Sequence, residues 1–460
     1  MKSSSDTYLA RVYFLLTALG FLAHMEWGNL THLTAPNIIL IPALIWAVSA
    51  VGVLLWPDRI YWIALMCLGQ IFDVALTLPQ VPNHWLLAFF VSLTWLCSIS
   101  VLLFKNRKWP SVSELFSRNV SSIRFGVIVF YLFTGFWKLN TAFFQPQISC
   151  VVTRFLEVFS SRLGFPSSGF LGYFLIFSTL FFEILIPVFL IFQKTKVIAA
   201  FALITFHFVL ALDAPHNYQN FSWTMVPLLI TFFEPEMIES LLLRPSRFRV
   251  SWFRFFATAL SLGLVLLAFL SPRVWFVARW VFSTALIAGI LAVVLGHFIA
   301  VRPFKIDLRP SWKITNLRVI GVFSVLIFLN GIAPILGVKN RNSWQMYSNI
   351  RIESDYSNHF LIRRSLDLFG FQRKNVEIVA TSDKKLFQDY TQVKKRMTWH
   401  DLNTYVASHP TFSISWREFS TIFDSKDSKS DPRFEKPNLL LRKLVWFRPI
   451  GEGVEKSCTW

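Results

Sequence analysis

The stretch Gly126–Asn140, GVIVFYLFTGFWKLN, decides how the chain is read. Its residues, mostly Phe, Val, Ile and Leu, run without a charge until Lys138, which Leu139 and Asn140 follow. A run this apolar belongs in a membrane span. An ammonium at its edge is costly to bury in hydrocarbon, so it either snorkels to the headgroups or marks a functional site. Spacing alone leaves both readings of Lys138 open.

The rest of the chain agrees with a membrane span. Of 460 residues, 54% are hydrophobic, 17% aromatic and only 15% charged, and the mean hydropathy is +0.51. Soluble domains carry about 25% charged residues, and repeated apolar runs here approach the roughly 20 residues a helix needs to cross a bilayer. The expected fold is therefore an all-α polytopic membrane protein with a small C-terminal α+β extramembrane domain. The formal net charge of +19 does not point to nucleic acid. The cations sit in short clusters between apolar runs and in the tail, as in loops beside anionic lipid. The first run, Leu9 to Ala23, is followed by His24, Glu26 and Trp27 without a small-residue cleavage site, so it reads as a first span and not a signal peptide.

Apolar runs place spans at 9–24, 37–56, 60–78, 85–104, 120–138, 169–193, 197–212, 221–234, 251–271, 274–300 and 319–338, about eleven in all. Cations fill alternate loops: Lys2 and Arg11; Arg59; Lys105, Arg107, Lys108 and Arg118; Lys194 and Lys196; Arg244, Arg247 and Arg249; Arg302, Lys305, Arg309 and Lys313. The segments His24–Pro36, Pro79–His84 and Asp213–Asn220 hold no Lys or Arg. Cation-rich loops stay in the cytoplasm, so the N-terminus is expected inside and the C-terminal tail outside. The domain boundary is expected at 338/339, with residues 1–338 in the membrane and 339–460 outside.

That orientation sorts the polar residues found at membrane depth. His24, His32, Asn83, His84, Lys138, Asn140, His207, Asp213, His216 and Asn220 all fall toward the outer face, and His297 is the main one toward the inner face. A transporter needs polar groups reaching both sides, so a pocket opening outward is expected and not a conduit. Glu183, midway along the sixth span, could pair with a histidine or with Lys138, whereas His32 and His216 read as ordinary loop residues. His207 reads equally as a core histidine bonded to a neighbouring helix.

Between the fifth and sixth spans, Ile148, Val151, Val152, Phe155 and Phe159 recur at helical spacing opposite Thr153, Arg154, Glu157 and Ser160. Gly164 and Pro166 stop the run, which suggests a helix lying in the outer interface, either roofing the pocket or merely connecting two spans. In the tail, strands are expected at Trp344–Ile352, Phe360–Arg363, Val376–Ala380, Phe412–Trp416 and Leu439–Trp446, a helix at Trp399–Ser408 and a solvated loop at Ser425–Lys436. Of the four cysteines, Cys67 and Cys97 lie in apolar runs. Cys150 and Cys458 share the outer side and could form a disulfide in an oxidising compartment. No His, Cys or carboxylate pair has a metal-ligand spacing, and there is neither a phosphate-cradling Gly-rich loop nor a nucleophile elbow.

Several patches occur in a telling order: Asn83-His84-Trp85, FYLFTGFWKLN around Lys138, the TFH ending at His207 with the later Asn220-Phe221-Ser222, and SWQM at Ser343–Met346. Together they resemble the vitamin K-dependent gamma-carboxylase family, including the bacterial relatives that share its horizontally transferred transmembrane (HTTM) domain. The resemblance implies that Lys138 is the base that deprotonates vitamin K hydroquinone or another quinol. Asn83, His84, Asn140 and His207 are then quinol-binding residues. Oxygen and carbon dioxide are co-substrates, and the acceptor stays open, an exported protein or peptide being one candidate. It also implies a bacterial inner membrane before an endoplasmic reticulum. Chemistry asks for the same residue types: an apolar site lowers a lysine pKa toward working pH, and imidazole and carboxamide groups can orient quinol hydroxyls. The chain departs from the family in having Asn140 where an acidic residue is common and Phe143 and Phe144 where a Trp is, and its outer part leaves little room for a propeptide-binding region, so quinol-dependent oxygenation or carboxylation of another substrate stays open. The rival expectation is a non-enzymatic lipid-binding or assembly protein whose outer domain docks a partner.

Overall fold

A computed structural model describes residues 4–24, 40–163, 169–213, 216, 218–243, 272–300, 321–451, 453 and 458. The expected span at 251–271, His32, the stop signals Gly164 and Pro166, and the loop cations Arg244, Arg247, Arg249, Arg302, Lys305, Arg309 and Lys313 lie outside the described residues.

The helices are α1 (Ser4–His24), α2 (Leu40–Leu55), α3 (Ile60–Thr77), α4 (Asn83–Asn106), α5 (Val112–Phe136), α6 (Cys150–Leu163) and α7 (Gly169–Leu180). A π-helical turn at Phe181–Leu185, which holds Glu183, carries α7 into α8 (Ile186–Phe189). Then come α9 (Lys196–Ala211), α10 (Tyr218–Ile230), α11 (Pro235–Leu243), α12 (Pro272–Ala300) and α13 (Val322–Leu336). Among the described residues six stretches are long and apolar enough to cross a membrane: Asp6–His24, Ile60–Thr77, Asn83–Asn106, Val112–Phe136, Gly169–Phe189 and Phe276–Gly296. Helices α2, α9 and α13 are apolar but shorter. The expected run at 221–234 is α10, buried along most of its length.

The chain divides into two compact units. The first comprises Met1–Thr77, His84–Leu132 and Phe181–Phe328; the second comprises Leu78–Asn83, Phe133–Leu180 and Leu329–Trp460. In the first unit α1 packs on α2, α10 and α11, and α9 packs on α10 and α12. The α2–α3 pair closes tightly because glycine lets the helices meet: a Cβ at Gly69 would lie 2.6 Å from the Trp46 backbone nitrogen. The open carbonyl of Thr231, just past α10, accepts from Arg124 Nε at 2.7 Å, which satisfies an acceptor the helix itself leaves over.

The second unit carries a four-stranded antiparallel sheet in the order β2-β1-β3-β4, built from β1 (Asn375–Thr381), β2 (Arg396–Thr398), β3 (Ile414–Glu418) and β4 (Thr421–Ser425). Helix α14 (Trp399–Ser408) begins with a reciprocal cap, in which the Asp401 amide donates to Thr398 Oγ1 at 3.1 Å and that hydroxyl donates back to Asp401 Oδ2 at 2.8 Å. Its apolar face, Leu402 and Val406, joins Val376, Ile378, Ile414 and Trp416 of the sheet in one core.

Three strand expectations need correction. Trp344–Ile352 forms no strand, because Trp344, Tyr347 and Asn349 adopt left-handed backbone at φ 63°, 50° and 54°, which no ladder accepts. Phe360–Arg363 is likewise not a strand, and only an isolated bridge joins the adjacent His359 to Asn140. Leu439–Trp446 is instead α15 (Leu439–Leu444), nucleated by Asn438, whose side chain accepts from the Leu440 amide at 2.8 Å; leucine-rich segments favour helix once capped.

The expected amphipathic helix is α6, and Val152 packs with Phe143 and Ile176. Cys150 at its first turn is disulfide-bonded to Cys458, 308 residues on, with Cα atoms 5.2 Å apart. Arg154 Nη2 donates to the Cys458 carbonyl at 3.1 Å and holds the same corner.

Candidate functional site

In the first unit the buried polar groups gather around aromatic rings. Helix α4 starts by presenting His84 and Trp85, while α1 ends in His24. The His24 imidazole stacks on Trp85 at 3.8 Å between centroids with a 15° tilt, and meets the His84 ring edge-on at 5.2 Å. Trp85 is fixed from α3: its indole Nε1 donates to Asp73 Oδ2 at 2.7 Å, and Gln70 Nε2 donates to its carbonyl at 3.1 Å. Phe221, on α10, approaches both His84 (6.4 Å) and His207 of α9 (4.9 Å). Nε2 of His207 shares a 2.7 Å hydrogen bond with the Tyr131 hydroxyl, and its main-chain carbonyl accepts from Ser222 Oγ at 2.8 Å. His84 and His207 are thus brought to one aromatic residue.

What distinguishes this cluster is its unused capacity. His24 Nδ1, His84 Nε2, His207 Nδ1 and Asn220 Oδ1 are buried and have no hydrogen-bond partner among the described residues. A buried polar atom without a partner costs about 1–3 kcal/mol, so four in one neighbourhood call for an explanation, and a ligand with hydroxyl or carbonyl groups supplies one. Arg279 of α12, fully buried, donates from Nη1 to the Ala23 carbonyl at 3.2 Å in the same unit.

Lys138, Asn140 and Asn83 belong to the second unit. Lys138 lies in the turn that ends α5, is only 2% exposed, and donates from Nζ to the Thr134 carbonyl at 3.3 Å. It therefore does not reach bulk water. Asn140, fully buried, has every hydrogen-bonding position filled. Nδ2 donates to the carbonyls of Trp137 (2.9 Å) and Ser348 (2.6 Å), while Oδ1 accepts from the Phe143 amide (3.0 Å) and from Asn358 Nδ2 (3.3 Å). Asn83 Oδ1 accepts from the Trp344 amide at 3.3 Å. These two carboxamides hold the Lys138 turn and the Leu78–Asn83 segment against the run Asn342–Asn349.

That run is the most strained stretch of backbone described. Asn342, Trp344, Tyr347 and Asn349 all have positive φ, an arrangement that persists only where surrounding contacts over-determine it. Asn330 Nδ2 donates to the Asn342 carbonyl at 2.8 Å, Asn342 Nδ2 donates to Pro79, and Arg448 Nη2 donates to the Gln345 carbonyl at 3.0 Å. Burial draws the Arg448 guanidinium down to about 9. Inside this frame both ends of the Gln345 amide, 1% exposed, and the Ser343 hydroxyl lack partners among the described residues.

His216 Nδ1 pairs with Asp213 Oδ2 at 2.8 Å. Among the described residues no three His, Cys, Asp or Glu side chains converge as a metal would require. Sequence reading did not single out Tyr131, Asp73 or Gln345. Tyr131 lies inside the FYLFTGFWKLN patch and Gln345 inside SWQM, but Asp73 in α3 carried no signal beyond being an acid in an apolar run. No family model, no curated protein and no solved structure matches the chain.

Proposed function

We infer that the chain is an integral membrane, vitamin K-dependent gamma-carboxylase-like enzyme in which Lys138 takes a proton from a reduced vitamin K or another quinol. The observation that carries this reading is the pair of imidazoles, buried His207 and half-buried His84, each with a buried, unpaired ring nitrogen and each near Phe221. An apolar ring bearing hydroxyls fits that chemistry: Phe221 and Trp85 offer faces and edges, and the open nitrogens offer hydrogen bonds. A bound quinol supplies, with oxygen, the strong base needed to take a proton from a carbon acid before carbon dioxide adds. The chain's own residues do the rest. His84 and His207 would orient the hydroxyls, with the Tyr131 hydroxyl holding His207 through Nε2 and leaving Nδ1 open, and the resemblance around FYLFTGFWKLN is what assigns the phenolic proton to Lys138. Gln345 and Ser343 are among the groups with spare polar capacity in the unit that holds Lys138, and they suit the carboxylate of an acceptor.

The finer topology belongs to the same proposal: about eleven spans, a cytoplasmic N-terminus and an outer C-terminal part in a bacterial inner membrane. The alternating cation-rich loops support it, and so does the Cys150–Cys458 disulfide, since such bonds persist in oxidising compartments.

Purified full-length protein given vitamin K hydroquinone and oxygen should form the epoxide. Lys138→Ala should lower turnover by about 10²–10⁴-fold, the usual contribution of a positioned base, with the Cys150–Cys458 bond still formed as a check on folding. Turnover that survives the substitution rejects Lys138 as the base, and no epoxide from the unmodified chain favours the non-enzymatic lipid-binding or assembly protein.

A further inference from the structure

Residues Phe360–Phe369 of the second unit have the burial pattern of a soluble loop turned inside out. Ser365 and Asp367 point inward, 3% and 4% exposed, whereas Phe360, Leu361, Leu366, Leu368 and Phe369 are 54% to 69% exposed. The inversion is built, not incidental. Ser365 Oγ donates to Gln372 Oε1 at 2.8 Å, the Gln372 amide donates to Asp367 Oδ1 at 3.2 Å, and the Ser365 amide donates to the Glu353 carbonyl at 2.8 Å. His359 Nδ1 accepts from the Leu361 and Ile362 amides, which ties the start of the loop. With the Ser365 hydroxyl and one Asp367 oxygen bonded internally, the loop presents leucine and phenylalanine outward, with Arg363 and Arg364 exposed between them.

The loop is also tied to the ends of apolar helices in the same unit. The Leu366 amide donates to the Ile335 carbonyl at 2.7 Å, and the Leu368 amide to Leu336 at 3.1 Å, both at the last turn of α13. The Phe360 amide donates to Leu139 at 3.0 Å, just past α5. Its ring lies 5.5 Å from Phe144, which lies 6.0 Å from Phe177, an exposed residue of α7. The loop therefore continues the exposed apolar surface of α7, part of a stretch long and apolar enough to cross a membrane.

We propose that Phe360–Phe369 is a lipid-seated collar: its apolar side chains enter the headgroup–acyl boundary of the bilayer that holds the spans, and Arg363 and Arg364 bind phospholipid phosphates. An apolar body with a cationic rim is the composition that favours that boundary. This proposal does not depend on the quinol chemistry.

The unmodified full chain is reconstituted in lipid discs containing a phospholipid with a photoreactive diazirine near its headgroup, and adducts are mapped by mass spectrometry. Adducts should fall on the Phe360–Phe369 peptide and not on Ser425–Lys436. With an anionic probe lipid, Arg363→Gln and Arg364→Gln should each lower the yield about fivefold, the effect of removing one cation near a charged surface. A nitroxide on Leu368→Cys, with Cys67 and Cys97 replaced by alanine, should be relaxed more by oxygen than by a water-soluble nickel chelate, and the order should reverse on Lys426→Cys. Adducts confined to the spans, or a label at 368 as water-accessible as the one at 426, overturn the proposal. Dipolar broadening between labels at 368 also overturns it, since a second copy of the chain would then cover the loop.

Discussion

The imidazole cluster of the first unit and the carboxamide frame of the second are both buried and polar, yet they are finished differently. Around Phe221, His84, His207 and Asn220 each keep an atom with no partner among the described residues. Around Asn140, all four hydrogen-bonding positions of one side chain are filled, and Asn342, Asn349 and Asn358 are similarly engaged. Folding alone favours the second condition, because each buried polar atom left open costs stability. Open atoms that recur together point to a partner from outside, and filled ones to a framework. Gln345 and Ser343 break the pattern within the second unit, with both ends of the Gln345 amide and the Ser343 hydroxyl open beside the filled carboxamides.

The contrast can be broken by exchanging residues at its two poles. Asn140→Ala removes a side chain that serves four partners and leaves the carbonyls of Trp137 and Ser348 without it, so a loss of about 3–5 kcal/mol in stability is expected. Thermal unfolding of the purified chain in detergent reads that loss. His84→Leu should do the opposite: stability changes by less than about 1 kcal/mol, since an apolar side chain replaces an unpaired nitrogen, while quinol affinity falls at least tenfold. If His84→Leu unfolds the protein as badly as Asn140→Ala, the distinction between open and filled atoms has no functional content.

A second test concerns the corner where α6 meets the tail. Replacing Cys150 and Cys458 by serine opens a link across 308 residues and should cost about 2–4 kcal/mol, with the melting transition of the second unit moving and that of the first staying. Reduction of the native chain should reproduce the shift. One transition that moves as a whole would mean that the two units do not melt separately.

The features of the chain that could be read beforehand follow from how local the signal is. Long apolar helices announce themselves, because twenty neighbouring residues repeat one message; α4 and α5 lie close to their expected limits. Helix α14 was readable at Trp399–Ser408 because cap and periodicity agree, and α6 because Val151, Val152 and Phe155 share a face. Asn342–Asn349 was not readable, since residues rich in β-propensity were expected to extend, and their left-handed turns come from carboxamides and an arginine more than fifty residues away, among them Asn83 and Arg448. The site was half readable. His84, His207 and Lys138 carry a chemical type that stands out in hydrocarbon, whereas the filled state of Asn140 and the open state of Gln345 depend on partners that sequence spacing does not reveal.

The effect spread most thinly over conditions is a pH dependence within the second unit. Burial pushes the Asp401 carboxyl up to about 7 although Thr398 Oγ1 donates to it, so between about pH 4 and 7 the folded chain holds a proton there that the unfolded chain has lost. Stability from this group is therefore greatest in acid and declines as pH rises, by about 1 kcal/mol per unit near pH 5–6 and tapering by pH 7. His359 acts in the opposite sense. Burial holds its imidazole below the ordinary range, and its Nδ1 must stay unprotonated to accept from Leu361 and Ile362, so acidification costs stability there. Asp401→Asn keeps an acceptor for the α14 cap and removes the titration, so melting temperature plotted against pH should lose its decline from pH 5 to 7 and retain only the loss on the acid side. An unchanged decline in that variant would place the proton on another group and leave Asp401 as an ordinary cap.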